Sequence, residues 1–410
     1  MKTTNNCCRS CEGKNLMAIL TLGKLPLANA LLKEKDLAGE EKKYPLELVF
    51  CPECSLLQIT ETVDPQLLFG EYLYFSSFSE TMLKHAEALT DKLIERQRLS
   101  EHNLVVEVAS NDGYLLQYFK KKKIPVLGIE PARNIARAAE EKGIPTVCKF
   151  FNTGTADELV KENKKADVII GNNVLAHVAN LNDFVESVRI LLNKNGVAVF
   201  EFPYVKDMIE NTEFDTIYHE HLCYYSLTAI KNLFGRHDLA ITDVERIPIH
   251  GGSLRIYSQH AQTYPPKDSV IALLEEEETL SMSEGAFYDS FANKVLQLKK
   301  EMTELLERLK AQNAQIVGYG AAAKGSTLLN YFGIGRDHID YVVDQSPYKQ
   351  GRYMSGNHLP IVPPDRIKQT QPDYVLILPW NLKNEIIEQM SLIRQWNGKF
   401  IIPIPKVAIV

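Results

Sequence analysis

No apolar run in this chain is long enough to cross a bilayer. The longest, such as Tyr374–Pro379 and Gly196–Phe202, are strand-length, whereas a spanning helix needs about 20 apolar residues. A basic excess is also lacking: 46 Lys and Arg stand against 52 Asp and Glu, for a net charge of −6. That balance argues against a broad nucleic-acid-binding face. The leading MKTTNNCCRSC is polar, without the apolar core of a signal peptide. No internal repeat and no low-complexity segment is present. The expectation is a cytoplasmic protein with neither nucleic acid nor membrane as partner. Cysteine is scarce, with seven in 410 residues, and in a reducing compartment these are expected to be metal ligands or buried thiols rather than disulfides. What is present is a globular composition, 45% hydrophobic and 24% charged, in a chain too long for one ordinary core.

Four of the cysteines form two pairs. Cys8-Arg-Ser-Cys11 and Cys51-Pro-Glu-Cys54 are CxxC turns separated by 39 residues. Such a turn puts both sulfurs on one side of a tight knuckle, and two knuckles complete a tetrahedral thiolate cage for Zn2+. Cys7 competes with Cys8 as first ligand, but Cys8 gives the standard two-residue gap. Four thiolates leave no open coordination position, so the zinc is expected to be structural. A pair of redox dithiols is the alternative. Residues 1–70 are expected to form this zinc-binding domain.

Residues 71–255 alternate between strand and helix. Leu104–Ala109 reads as a buried strand, Gly113–Lys123 as a helix, Val126–Glu130 as a strand and Ala132–Lys142 as a helix. Thr146–Phe150 reads as extended and Asp167–Leu175 as another buried strand. From Leu181, the apolar residues Phe184, Val188 and Leu191/Leu192 recur at helical spacing, and Asn195-Gly196 turns the chain into strand Val197–Phe202. This order predicts a doubly wound α/β sheet. Beyond 256, Glu275–Glu278 and Lys294–Lys310 suggest long solvated helices. They lead to a third unit with strands Gln315–Gly318, Asp340–Asp344, Val375–Leu378 and Phe400–Ile404. The predicted class is α/β: a zinc-binding head, a central Rossmann-like domain and, over 256–410, a second Rossmann-like domain.

Two stretches carry chemistry. In Val105–Gly113 a strand ends in small residues that let a ligand approach the backbone. Glu107 stands before this loop, Ser110, Asn111 and Gly113 within it. Glu130 ends the next strand, where a carboxylate accepts hydrogen bonds from ribose hydroxyls, and Gly171-Asn172-Asn173 ends the fourth. With an early acid before the loop and no GxGxxG, the combination resembles an S-adenosylmethionine (SAM) methyltransferase more than a dehydrogenase. The second stretch, Phe214–Tyr225, sets Tyr218, His219, Glu220 and His221 side by side. Imidazole has an ordinary pKa of about 6.5, suited to proton abstraction near neutrality. A metal site or a satisfied surface turn is the bland alternative.

Taken with the double CxxC head and His250-Gly-Gly-Ser-Leu-Arg255, these motifs closely resemble the SAM-dependent sugar C-methyltransferases of deoxysugar biosynthesis, over essentially the whole chain. The resemblance implies methylation at C-3′ of a nucleotide-linked 4-keto-6-deoxysugar, with SAM as methyl donor and zinc in the head. It implies His221 as the base, Glu220 contacting the sugar or tuning the site, and Tyr218 near the developing oxyanion. Tyr72, in Tyr72-Leu-Tyr-Phe-Ser-Ser77, and His177 match family active-site positions. His177 is otherwise a helix-start histidine, and Tyr74 is either a cofactor contact or packing. His219 is expected to be structural, since neighbours alternate sides if the segment is extended. HGGSLR reads as a strand pair closing the sheet. In the third unit, the turn Gly318–Gly325, with Gly320, Lys324 and the strand-end Asp344, reads as a seat for part of the nucleotide sugar; the alternative is a nucleotide fold kept for packing. A monomer is expected. The competing functions are an O- or N-methyltransferase on the same substrate class, an NAD-dependent dehydrogenase, and a zinc-ribbon nucleic-acid binder.

Overall fold

The computed structural model describes residues 3–4, 6–69, 76–249, 251–261 and 264–410. Its central sheet has seven strands: β1 (Val105–Val108), β2 (Val126–Ile129), β3 (Thr146–Val147), β4 (Ala166–Asn172), β5 (Leu192–Pro203), β6 (Leu239–Ile247) and β7 (Ser253–His260). They lie in the order β6-β7-β5-β4-β1-β2-β3. The first five run parallel, while β7 is antiparallel to both β5 and β6. Ser253, Leu254 and Arg255 of HGGSLR therefore open the strand that extends the sheet. β1 and β2 are buried along their whole length, as expected of parallel strands covered on both faces. On one face Leu89 and Leu93 of helix Glu80–Gln97 pack with Val105, Ile170 and Val199. The chain travels outward from β1 to β3 and then returns to β4 on the other side of β1. That reversal opens a crevice at the carboxyl ends of β1 and β4.

Several expected elements prove shorter. β1 stops at Val108 because Ala109 and Asn111 adopt positive φ of 53° and 49°, so the following helix starts only at Leu116. β4 ends at Asn172, with Asn173 at φ 54°, and a 3-10 turn follows at Leu175–His177. The extended segment after helix Arg133–Glu141 pairs only over Thr146–Val147.

The head contributes strands Met17–Pro26, Lys43–Phe50 and Leu57–Ile59. Their antiparallel sheet gains a fourth strand, Cys223–Tyr224, which begins two residues after His221. The YHEH run is thus stitched to the head. At the other end, strands Ile361–Val362, Val342–Val343, Ile316–Tyr319, Tyr374–Ile377, Lys399–Ile402 and Ala408–Ile409 form a six-stranded sheet in that order. All its pairings are parallel except the last. Helices Asp268–Thr279 and Phe291–Ala311 precede it. Trp380 Nε1 of this unit donates to buried Asp215 Oδ2 at 2.8 Å, so all three parts meet around residues 214–224.

Candidate active site

The crevice at the ends of β1, β2 and β4 gathers Glu107, Ser110, Asn111, Gly113, Glu130, Asn172 and Asn173. Glu107 is 1% exposed. Burial, reinforced by Asp112 and Glu130, holds its carboxyl well above the usual carboxylate range. Glu130 accepts the amide N–H of Ala132 at 2.8 Å and of Asn111 at 3.1 Å; burial raises its pKa and those two amides restrain the rise. Asn111 Oδ1 accepts the Ser76 N–H at 2.9 Å, and the Asn173 N–H donates to the Glu201 carbonyl at 2.8 Å. Gly113 has φ 76°, and a Cβ there would lie 2.8 Å from Ile144 Cγ1, so glycine is required twice over. Among the described residues, Glu107 Oε2, Ser110 Oγ, Asp112 Oδ1 and both amide atoms of Asn172 are buried with no hydrogen-bond partner. Leaving such a group unpaired costs about 1–3 kcal/mol. Their clustering at the switch point fits a cofactor with ribose hydroxyls and an amino-acid tail, as SAM has. Tyr72, Tyr74 and His250 lie outside the described residues.

The histidine cluster sits where the YHEH run meets the head. The run is a tight turn, closed by the His221 N–H on the Tyr218 carbonyl at 2.8 Å, and not the extended segment that strand alternation supposes. His221 Nδ1 lies 2.9 Å from the Thr216 carbonyl. A carbonyl only accepts, so Nδ1 carries a proton, and in the neutral ring the lone pair is then on Nε2. Nε2 stands 2.8 Å from the Tyr218 hydroxyl. His177 Nδ1 donates to the Glu220 carbonyl at 2.7 Å, and burial pushes its pKa down to about 4. The rings of His177 and His221 are 4.8 Å apart, those of Tyr218 and His221 4.1 Å. His219 turns the other way: its Nε2 donates to the Pro45 carbonyl at 3.1 Å, in the head. Glu220 is 3% exposed, and burial lifts its pKa to about 7. Both its oxygens accept from Asn29 Nδ2, at 2.8 and 2.9 Å. Nothing in the pattern around Asn29 marks it out in the sequence; only the fold brings this head residue to Glu220.

In the head, the sulfurs of Cys8, Cys11, Cys51 and Cys54 all lie within 4.8 Å of one another. Cys8 and Cys54 Sγ are 3.4 Å apart, Cys11 and Cys51 3.5 Å. The Cys54 thiol, hydrogen-bonded to Cys8, draws the Cys8 pKa down to about 5, while burial pushes Cys51 up to about 12. Four thiols so close cannot all ionise without a cation among them, and the spacing suits a tetrahedral ion with Zn–S bonds of about 2.3 Å.

The C-terminal turn is occupied by its own chain. Gly320, at φ 88°, has Pro379 where a Cβ would go, 2.6 Å away. Asp344 accepts the N–H groups of Ala321 and Ser346, both at 2.8 Å, and Lys349 Nζ donates to the Ala321 carbonyl at 2.8 Å. Lys324 Nζ lies 4.8 Å from the centre of the Trp380 ring, and its charge opposes the burial that lifts Glu213 to about 7. Gly320, Lys324 and Asp344 are thus grouped together, at the Asp215–Trp380 junction rather than in the Glu220 pocket.

Comparison with known proteins accounts for each part. Residues 8–69 match the family described as "Putative zinc binding domain", residues 82–244 a methyltransferase domain, and residues 248–405 a C-methyltransferase C-terminal domain. The chain is 33% identical over 400 residues to C-methyltransferase NovU of Streptomyces niveus, across 97% of this chain and 95% of the relative. The chain belongs to the C-methyltransferase family. A ubiquinone biosynthesis O-methyltransferase of Azorhizobium caulinodans is 25% identical to this C-methyltransferase over 96 residues, 23% of this chain and 38% of that relative. Among solved structures, magnesium protoporphyrin IX methyltransferase from Synechocystis PCC 6803 with bound SAM has a TM-score of 0.33 at 12% identity, covering 44% of this chain and 79% of its own. The C-methyltransferase therefore combines a SAM-dependent methyltransferase domain with a head bearing a four-cysteine cluster. Among the described residues, no helix is long and apolar enough to cross a membrane.

Proposed function

We propose that this C-methyltransferase methylates C-3′ of a nucleotide-linked 4-keto-6-deoxysugar. The observation that carries the reading is the His221 tautomer: Nδ1–H is spent on the Thr216 carbonyl, which leaves Nε2 as a neutral base. A proton at C-3′ is acidified by the neighbouring C-4′ ketone, and its removal leaves an enolate. His221 Nε2 takes that proton, and the Thr216 carbonyl supports the imidazolium that results. The Tyr218 hydroxyl, 2.8 Å from Nε2, is within reach to turn its hydrogen toward the enolate oxygen. His177, neutral through burial, packs beside the base without adding a competing positive charge. Glu220, tethered by Asn29, orients the sugar, and Tyr72 contributes to the same site. What bound SAM supplies is an electrophilic methyl group. Glu107, Ser110, Asn111, Gly113, Glu130, Asn172 and Asn173 hold it, and zinc on Cys8, Cys11, Cys51 and Cys54 keeps the head folded. The reading takes the chain to be a cytoplasmic monomer, divided near 1–70, 71–255 and 256–410, with β7 spanning the last boundary.

The test is incubation with SAM and a panel of nucleotide 4-keto-6-deoxysugars, followed by mass detection of a methyl gain. Substrate deuterated at C-3′ should lose its label when methylated. A methyl gain with the label retained would mean transfer to C-5′, the other carbon beside the ketone, or to oxygen or nitrogen, and would end the C-3′ reading.

A further inference from the structure

A half-open cleft of about 200 Å3 lies beside Glu220. Leu27, Leu31 and Leu68 are among its apolar lining residues, and its polar side chains are Asn29, Glu220 and Arg352. Arg352 comes from the C-terminal unit, in the segment between strands Val342–Val343 and Ile361–Val362. Its backbone is anchored on both sides. The Arg352 carbonyl accepts the Ile361 N–H at 2.8 Å, and the next residue, Tyr353, exchanges two 2.9 Å hydrogen bonds with Leu32 of the head. Its guanidinium makes no hydrogen bond or ion pair with any described residue, although it is only partly exposed. Neighbouring cations are committed elsewhere: Lys349 to the Ala321 carbonyl and Asp344, Arg336 to the His358 carbonyl, Lys324 to the Trp380 face.

Resting on the nucleotide-sugar reading, we propose that Arg352 binds the diphosphate of the substrate in this cleft, and that the Gly318–Gly325 turn does not. A nucleotide sugar brings two negative charges on a linker attached at C-1′. With C-3′ at His221 and a hydroxyl at Glu220, the diphosphate needs a cation on the same side as Glu220, and Arg352 is the cation lining that cleft. A guanidinium fork matches two phosphate oxygens. The chain pins the backbone on either side of that fork and pairs the fork itself with no described residue. The Gly318–Gly325 turn has the opposite character, with its glycine packed on Pro379 and its acid satisfied by its own amides.

The experiment is calorimetric titration of the full-length protein with dTDP, GDP, CDP and UDP, in wild type, Arg352→Gln, Arg352→Lys and Lys324→Gln. The wild type should select one of the four nucleotides. For that nucleotide Arg352→Gln should weaken binding tenfold or more, Arg352→Lys less, and Lys324→Gln less than twofold. SAM affinity should stay unchanged in all variants, and the melting temperature in both Arg352 variants. Equal binding by Arg352→Gln, or a tenfold loss in Lys324→Gln alone, overturns the subsite and leaves the function standing. Failure of the wild type to bind any of the four overturns the nucleotide-sugar reading, and the subsite with it.

Discussion

Two α/β units in this chain share a plan and use it differently. In each, a short buried strand runs into a turn with positive φ, at Ala109, Asn111 and Gly113 in one and at Gly320 in the other. In each, an acid just past the next strand accepts backbone amides, Glu130 in the central unit and Asp344 in the C-terminal one. The difference is in what fills the mouth. Around the central turn, Glu107, Ser110 and Asn172 hold buried polar atoms without partners, a state that favours a ligand. Around the C-terminal turn, Lys349 reaches in to bond both the Ala321 carbonyl and Asp344, and Pro379 closes on Gly320. On the reading proposed above, the same topology seats the cofactor in one unit and braces the junction with the central unit in the other. The brace matters to the chemistry because it fixes Trp380 against Asp215, six residues before His221.

If the chemistry belongs to the central unit, His221→Asn should have the largest effect. Turnover should fall by about two to four orders of magnitude, with SAM and nucleotide-sugar binding retained. Exchange of the C-3′ proton with solvent, followed without methyl transfer, isolates the step; a wild-type exchange rate in this variant would shift the role of base to His177 or Tyr218.

A pH effect on stability comes next. Glu220 is held up at about 7 against an ordinary 4.5, so the folded state keeps a proton that the unfolded chain releases between those values. Its contribution is complete below pH 4.5 and is lost as the pH rises through about 7, by at most about 3 kcal/mol. His177, depressed to about 4, acts in the reverse sense and loses its contribution as the pH falls below its ordinary 6.5. Between pH 5 and 7.5, urea denaturation should show wild type losing stability relative to Glu220→Gln. Parallel curves would mean that Glu220 is ionised throughout.

Glu130→Ala should weaken SAM binding by about 1.5–3 kcal/mol through loss of a charged hydrogen bond, read by calorimetry. A variant that binds SAM as wild type does would remove the main distinction between the two acids.

Much of the framework was legible because it rests on local pattern. β1, β2, β4 and β5 are apolar runs, and Glu107, Glu130 and Asn172 stand in or just past them. The CxxC spacing announces the sulfur cluster whatever the intervening 39 residues do. What pattern cannot carry is contact between distant segments. Asn29 reaches Glu220 across 191 positions, and Arg352 comes to the same cleft from the far unit; neither has a local signal. The two-residue strand Cys223–Tyr224 exists only because the head offers Leu57 and Gln58 as partners. Element ends depart from the sequence pattern where non-glycine residues take positive φ, as at Ala109 and Asn173, because side chains seldom announce that conformation.

The smallest expected effect is also the one that bears most directly on the contrast between the units. Asp344→Ala removes the acceptor for the Ala321 and Ser346 amides and leaves Lys349 without its carboxylate. Since Asp344, unlike Glu130, is held by a lysine as well as two amides of its own chain, the loss should appear in the folded state and not in a ligand. Stability should drop by about 1–2 kcal/mol as two amides lose their partner, read as a lower urea midpoint with unchanged slope. If Asp344 only braces its own turn, SAM and nucleoside diphosphate affinities should stay within twofold of wild type. Glu130→Ala is the matched control: a carboxylate removed at the equivalent strand end, in the unit with unpartnered buried polar atoms around its turn. If instead Asp344→Ala leaves the urea midpoint in place and weakens nucleotide binding tenfold, the C-terminal turn is a ligand seat after all. Lys349 would then be a side chain that yields its place when substrate arrives.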